Sequence, residues 1–179
     1  GEIGDVVSAT ARRVGLGPRR WPEQNMDVGV VKDTAIHDID IMRHLFDQDP
    51  MAVYAKTGSL RHRALEDYAQ IMLTFRDGKT AFIEANWLTP YKVRNLLVTG
   101  SEATVYLQFL TQEITIETLG QSLTPRYKWE EPLKLELQNF AECVLNNKEN
   151  LVTGVDGLKA LQIAEAALKS AARCKTIML

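Results

Sequence analysis

The spacing of apolar residues changes period twice along this chain. Residues 6–13 form a short apolar run that turns polar at its end, the mark of a strand. A segment rich in glycine, proline and arginine follows over 14–27 and reads as a loop. Over 28–46 the period lengthens: Ile36, Ile39, Met42, Leu45 and Phe46 recur at helical spacing, and Pro50 closes the region. The middle of the chain then reverts to alternation. Six strands are predicted over 51–56, 68–75, 79–87, 93–99, 104–109 and 113–119. Asp77-Gly78 between two alternating runs is a strong hairpin signal. Two helices are predicted after the strands. The first, over 133–146, puts Leu133, Leu137, Phe140 and Val144 on one face. The second, over 155–173, is expected to bury Leu158, Leu161, Leu168 and many alanines. Thr153 with Asp156 resembles a capping box at its start. Residues 176–179 can add a last strand.

The connections between the middle strands are too short for helical crossovers, so the sheet should be mostly antiparallel. The fold expected is α+β: one large sheet with helices packed on one face. Ala69, Ile71, Leu73 and Phe75 make one strand face apolar, while Tyr68, Gln70, Met72 and Thr74 make the other mixed. The mixed face is a reasonable contact between copies of the chain, in a dimer or tetramer.

The totals narrow the function classes. A length of 179 residues suits a single domain spanning 1–179. A net charge of −2 gives no basic field for nucleic acid or an anionic membrane. Cys143 and Cys174 fit no metal spacing and read as isolated thiols of a reducing compartment. No run approaches the ~20 apolar residues a bilayer requires, and a cytoplasmic protein is expected. The strand, glycine-rich loop and helix that cradle a dinucleotide are absent, because Gly15 and Gly17 lead to Pro18.

The chemistry-bearing stretch is Lys32-Asp33-Thr34-Ala35-Ile36-His37-Asp38-Ile39-Asp40. Asp33 and His37 are four apart and share a helix face. A carboxylate beside an imidazole can orient the ring, and imidazole is a general base suited to neutral pH. Spacing alone favours an ordinary surface contact. Asp40 and His44 continue the stripe, but four ligands over three turns span ~16 Å, too far for one ion. No metal is expected. His62, between Arg61 and Arg63, reads as part of a solvated basic turn, and Trp87 as core.

Here the residues resemble a known family. Asp33-x-x-x-His37-Asp38-Ile39-Asp40 looks like the catalytic helix of the Gfo/Idh/MocA oxidoreductases. Glu66-Asp67-Tyr68, Phe75-Arg76-Asp77-Gly78, Trp87-x-x-Pro90, Val98-Thr99-Gly100-Ser101-Glu102 and Asp156-Gly157-Leu158 follow in family order. The resemblance runs the length of the chain. It implies the substrate-side domain of a two-domain enzyme, folded like the C-terminal domain of glyceraldehyde-3-phosphate dehydrogenase. NAD or NADP would be bound mainly by an N-terminal Rossmann domain outside this chain, so the chain alone should not turn over. The resemblance makes His37 the base for a sugar hydroxyl and Asp33 its partner. It places Thr34, Arg13, Tyr91 and Lys92 at the sugar, with Arg94 nearby, and Arg19-Arg20-Trp21 over the site. Arg13, Arg19, Arg20 and Lys92 form a basic set in a mildly acidic chain, and guanidinium forks suit phosphate. A phosphorylated or nucleotide-linked sugar is therefore expected, such as a UDP-N-acetylhexosamine oxidised at C3.

Where the family often has two or three glycines before this helix, only Gly29 stands here. The competing readings are a non-catalytic module that binds sugars or oligomerises, and a hydrolase using His37. The hydrolase lacks a Ser or Cys nucleophile in a suitable setting.

Overall fold

The structure, a computed structural model, describes residues 2–17 and 27–179. Nine strands form one sheet in the order β8-β7-β6-β5-β1-β4-β3-β2-β9. They are β1 (Val6–Leu16), β2 (Ala52–Gly58), β3 (Tyr68–Thr74), β4 (Thr80–Asn86), β5 (Leu88–Gly100), β6 (Ala103–Gln108), β7 (Glu113–Thr118), β8 (Gln121–Leu123) and β9 (Ile177–Met178). Only the β1–β4 pair is parallel. The mostly antiparallel α+β expectation holds, and the short strand β8 is an addition.

The helices are α1 (Ile36–Phe46), α2 (Pro132–Asn146) and α3 (Gly154–Arg173). The residues just before α1, Val31–Ala35, form a wider π-helical turn. At the β3–β4 hairpin, Asp77 and Gly78 both have positive φ, 60° and 74°. Both central residues of the primed hairpin turn require that conformation, which is why Asp-Gly reads so clearly. Thr153 accepts from the Asp156 backbone N–H while the Asp156 carboxylate accepts from Thr153 N–H, completing the capping box.

Alternation decides the two faces of the sheet. Ala9, Ala11, Ile71, Leu73, Ala81, Ile83 and Val98 point one way and are buried. Helices α1 and α3 cover the half of this face nearest β2. Ile39 and Met42 of α1 and Ile163, Ala164 and Ala167 of α3 complete the core. Small alanines let α3 lie close to its neighbours. Arg43 of α1 reaches Asp40, Asp49 and Asp156, linking the C-terminal end of α1 to the start of α3. The opposite sheet face carries Tyr54, Tyr68, Met72, Phe82, Leu97 and Tyr106, all exposed.

Burial departs from the expected pattern in α3, and α2 is left uncovered. The row on α2 is amphipathic as predicted, but Leu133, Leu137, Phe140 and Val144 are 57%, 59%, 55% and 65% exposed. Leu158 and Leu161 at the start of α3 are likewise open rather than buried. Periodicity shows that a helix has an apolar side and not what covers it. His62 is also more than a solvated residue: its Nδ1 accepts from the Ala64 and Leu65 backbone N–H groups.

Asp67 holds the β2–β3 connection. Its carboxylate is fully buried and accepts backbone N–H groups from Leu60, Arg61 and His62 at 2.7–3.0 Å. Asp67→Ala would strand three donors, and each buried unsatisfied group costs about 1–3 kcal/mol. Calorimetry should show Tm lower by several degrees; an unchanged Tm would mean that water replaces the carboxylate at no cost.

Candidate active site

The π-helical turn begins where the loop between β2 and β3 offers acceptors. The first N–H groups of a helix have no internal partner. Here Val30 N–H donates to the Glu66 carbonyl at 3.0 Å, and Val31 N–H donates to the Glu66 carboxylate at 3.1 Å. A negative charge at this end also suits the helix dipole. The carboxylate lies where a side chain on residue 29 would stand, so a side chain there would displace it from the Val31 N–H. This accounts for the one glycine kept before the helix.

The turn then presents Asp33 and Thr34 to a cavity of about 390 Å³. Its other walls are the end of β1 (Arg13 to Leu16) with Gly17, the end of β4 with Trp87, and Pro90, Lys92 and Arg94 on β5. Trp87 is buried, as expected of core, and its indole N–H donates to the Thr34 hydroxyl at 2.8 Å. Thr34 in turn donates to Asp33 Oδ2 at 2.8 Å. This chain of two hydrogen bonds fixes the Asp33 carboxylate and leaves Oδ1 free, among the described residues, to accept from a ligand.

His37 sits one turn further along, on α1. It is exposed, outside the residues that line the cavity, and its ring makes no hydrogen bond among the described residues. The expected contact with Asp33 is therefore not formed: the carboxylate turns to Thr34 instead. A π turn between the two residues also alters the angle that pure α-helical spacing predicts.

The basic residues divide in a way the sequence does not show. Arg13 donates from Nε and Nη2 to the two oxygens of Asp38, each at 2.8 Å. Asp38 is 1% exposed. The guanidinium also lies over the Phe109 ring, 5.6 Å from its centre. Arg13 lines the cavity as expected, but its Nε–Nη2 edge is occupied by the Asp38 carboxylate. Lys92 and Arg94 line the cavity from alternate positions of β5. Tyr91, between Pro90 and Lys92, is 81% exposed and outside the lining. Burial pushes the Arg94 guanidinium down, Arg13 adds to that, and Asp38 offsets part of it. Arg19, Arg20 and Trp21 lie outside the described residues. Among the described residues no group of His, Cys, Asp and Glu is placed to hold a metal, and both cysteines are free.

Residues 1–106 match the family description "GFO/IDH/MocA C-terminal domain". The chain belongs to this family. It is 31% identical over 185 residues to scyllo-inositol 2-dehydrogenase (NAD(+)) of Bacillus subtilis, covering 95% of this chain and 53% of that protein. The aldose-aldose oxidoreductase of Caulobacter crescentus, solved with glycerol, superposes with a TM-score of 0.88 at 23% identity. That match covers 100% of this chain and 57% of the other. UDP-N-acetylglucosamine 3-dehydrogenase of Acidithiobacillus ferrooxidans gives a TM-score of 0.85 at 20% identity, over 94% and 55%. The chain thus spans about half the length of the curated relatives it matches.

Asp38→Ala should cost about 3–5 kcal/mol by stranding the buried Arg13 charge. The double variant Asp38→Leu/Arg13→Met should recover much of that loss in denaturant titration. Equal losses in the single and double variants would show that the pair is not what the site loses.

Proposed function

We propose that residues 1–179 act as the substrate-binding, catalytic and oligomerising part of an oxidoreductase that moves hydride between a sugar or polyol hydroxyl carbon and NAD or NADP. The observation that carries this reading is the placement of Asp33 and Thr34 in the wall of a cavity that also carries Arg13, Lys92 and Arg94, at the start of the helix that bears His37. Membership of a family whose matched relative is an NAD-dependent inositol dehydrogenase supports it.

NAD or NADP, when bound, would supply the hydride acceptor. No glycine-rich phosphate cradle exists among the described residues, so this chain's own share of the chemistry is the proton and the substrate. His37 takes the hydroxyl proton; its exposure leaves both ring nitrogens free for that work. Asp33, held through Oδ2 by Thr34, offers Oδ1 to a substrate hydroxyl or to the protonated ring. Trp87 keeps Thr34 in the correct orientation. Lys92 faces the substrate directly, while Arg13 shapes the wall from its pair with Asp38. The finer reading is a phosphorylated or nucleotide-linked sugar, supported by the cations on β5.

The open sheet face, with Tyr54, Tyr68, Phe82 and Tyr106 exposed, is the surface through which copies would associate as a dimer or tetramer. No helix among the described residues is long and apolar enough to cross a membrane, and a cytoplasmic setting fits two free thiols.

A substrate screen with the complete enzyme, following NADH or NADPH absorbance, tests the reading. His37→Ala should lower kcat by roughly 10²–10⁴, the range for a positioned acid–base group. Turnover that survives the substitution intact would remove His37 from the mechanism.

A further inference from the structure

Arg13 and Arg94 are direct neighbours across the β1–β5 pair. Side chains opposed in this way share a face, and like charges so placed repel. The repulsion is relieved on one side only. Asp38 grips Arg13 with two hydrogen bonds, whereas the Arg94 side chain has no hydrogen bond or ion pair among the described residues. Asp33 is the one carboxylate in the described lining, and it is bound to Thr34. Among the described residues the cavity therefore holds a half-buried guanidinium that feels Asp38 but makes no ion pair, with Lys92 two residues away on the same strand face.

A cation taken partly out of water gains from an anionic partner. A fork of fixed N–H donors matches the oxygens of a phosphate or carboxylate. We propose that Arg94, assisted by Lys92, selects substrates carrying an anionic oxygen group, phosphate or carboxylate, at this cavity. The inference rests on reading the cavity as the sugar site, and it moves anion recognition from Arg13 to Arg94. Asp38 acts as a positioning residue: it occupies the Nε–Nη2 edge of Arg13, and Arg94 is the guanidinium of the described wall that makes no hydrogen bond or ion pair.

Calorimetric titration of the 179-residue chain with glucose 1-phosphate, glucuronate and glucose tests this without requiring turnover. Charge-assisted hydrogen bonds predict that at least one of the two anions binds on the order of 10-fold or more tighter than glucose. Preference for glucose 1-phosphate identifies phosphate as the group read; preference for glucuronate identifies carboxylate. Arg94→Gln should abolish the preference, Arg94→Lys should keep part of it, and Arg12→Gln on the opposite sheet face should leave it intact. If Arg94→Gln does not fold, the Arg94 Nε–H resonance of the native chain gives the same answer, shifting with the anion and not with glucose. Absence of any anion preference, or a preference unchanged in Arg94→Gln, overturns the proposal. Neutral polyols oxidised without anion preference would leave the dehydrogenase reading standing while this one falls. Arg94-dependent anion binding without NAD(P)-linked oxidation would do the reverse.

Discussion

Asp38 is almost wholly removed from water, and a carboxylate in that position must be paired or it destabilises the fold. Its partner, Arg13, comes from the central strand of the sheet, so the pair ties α1 to β1 at one defined point. That point lies next to His37 in sequence. Wherever Asp38 is held, the direction of His37 and of the turn before it is largely settled. A buried ion pair contributes little net stability compared with an apolar pair of the same shape. Its effect here is geometric: it orients the helix and removes one guanidinium from the cavity's free charge.

The start of the same helix is held by a second acidic residue. Glu66 supplies both its carbonyl and its carboxylate to the leading N–H groups, and the missing side chain of Gly29 leaves room for that carboxylate. Asp67, the next residue, faces the other way and organises the loop before β3. One acidic dipeptide thus anchors both the start of the helix that carries the site and the loop before β3. The wider π turn that follows brings Asp33 and Thr34 against Trp87, and the indole N–H sets the hydroxyl that sets the carboxylate.

The apolar surface is distributed unevenly. Helices α1 and α3 cover one half of one sheet face, which encloses a compact core of alanines and branched residues. The other sheet face, the row on α2 and the first turns of α3 remain open. The relatives matched are about twice as long as this chain, so the fold seen here is a portion of their architecture.

Local chemistry was legible in the sequence wherever a backbone rule acts over a few residues. Alternation marked six strands, Asp77-Gly78 marked the hairpin, Thr153 and Asp156 marked the cap, and Asp33 to Asp40 marked the helix with the candidate base. These are short-range constraints, and the residues concerned are neighbours along the chain. The partners of Asp38, Glu66 and Arg94 were not legible, because each is decided by which strand lies beside which. Arg13 and Arg94 are 81 residues apart in sequence, and only the antiparallel register of β1 and β5 sets them face to face. Which of two guanidiniums is occupied and which is open is therefore a property of the tertiary structure: charge is written in the sequence, but its compensation depends on distance in space.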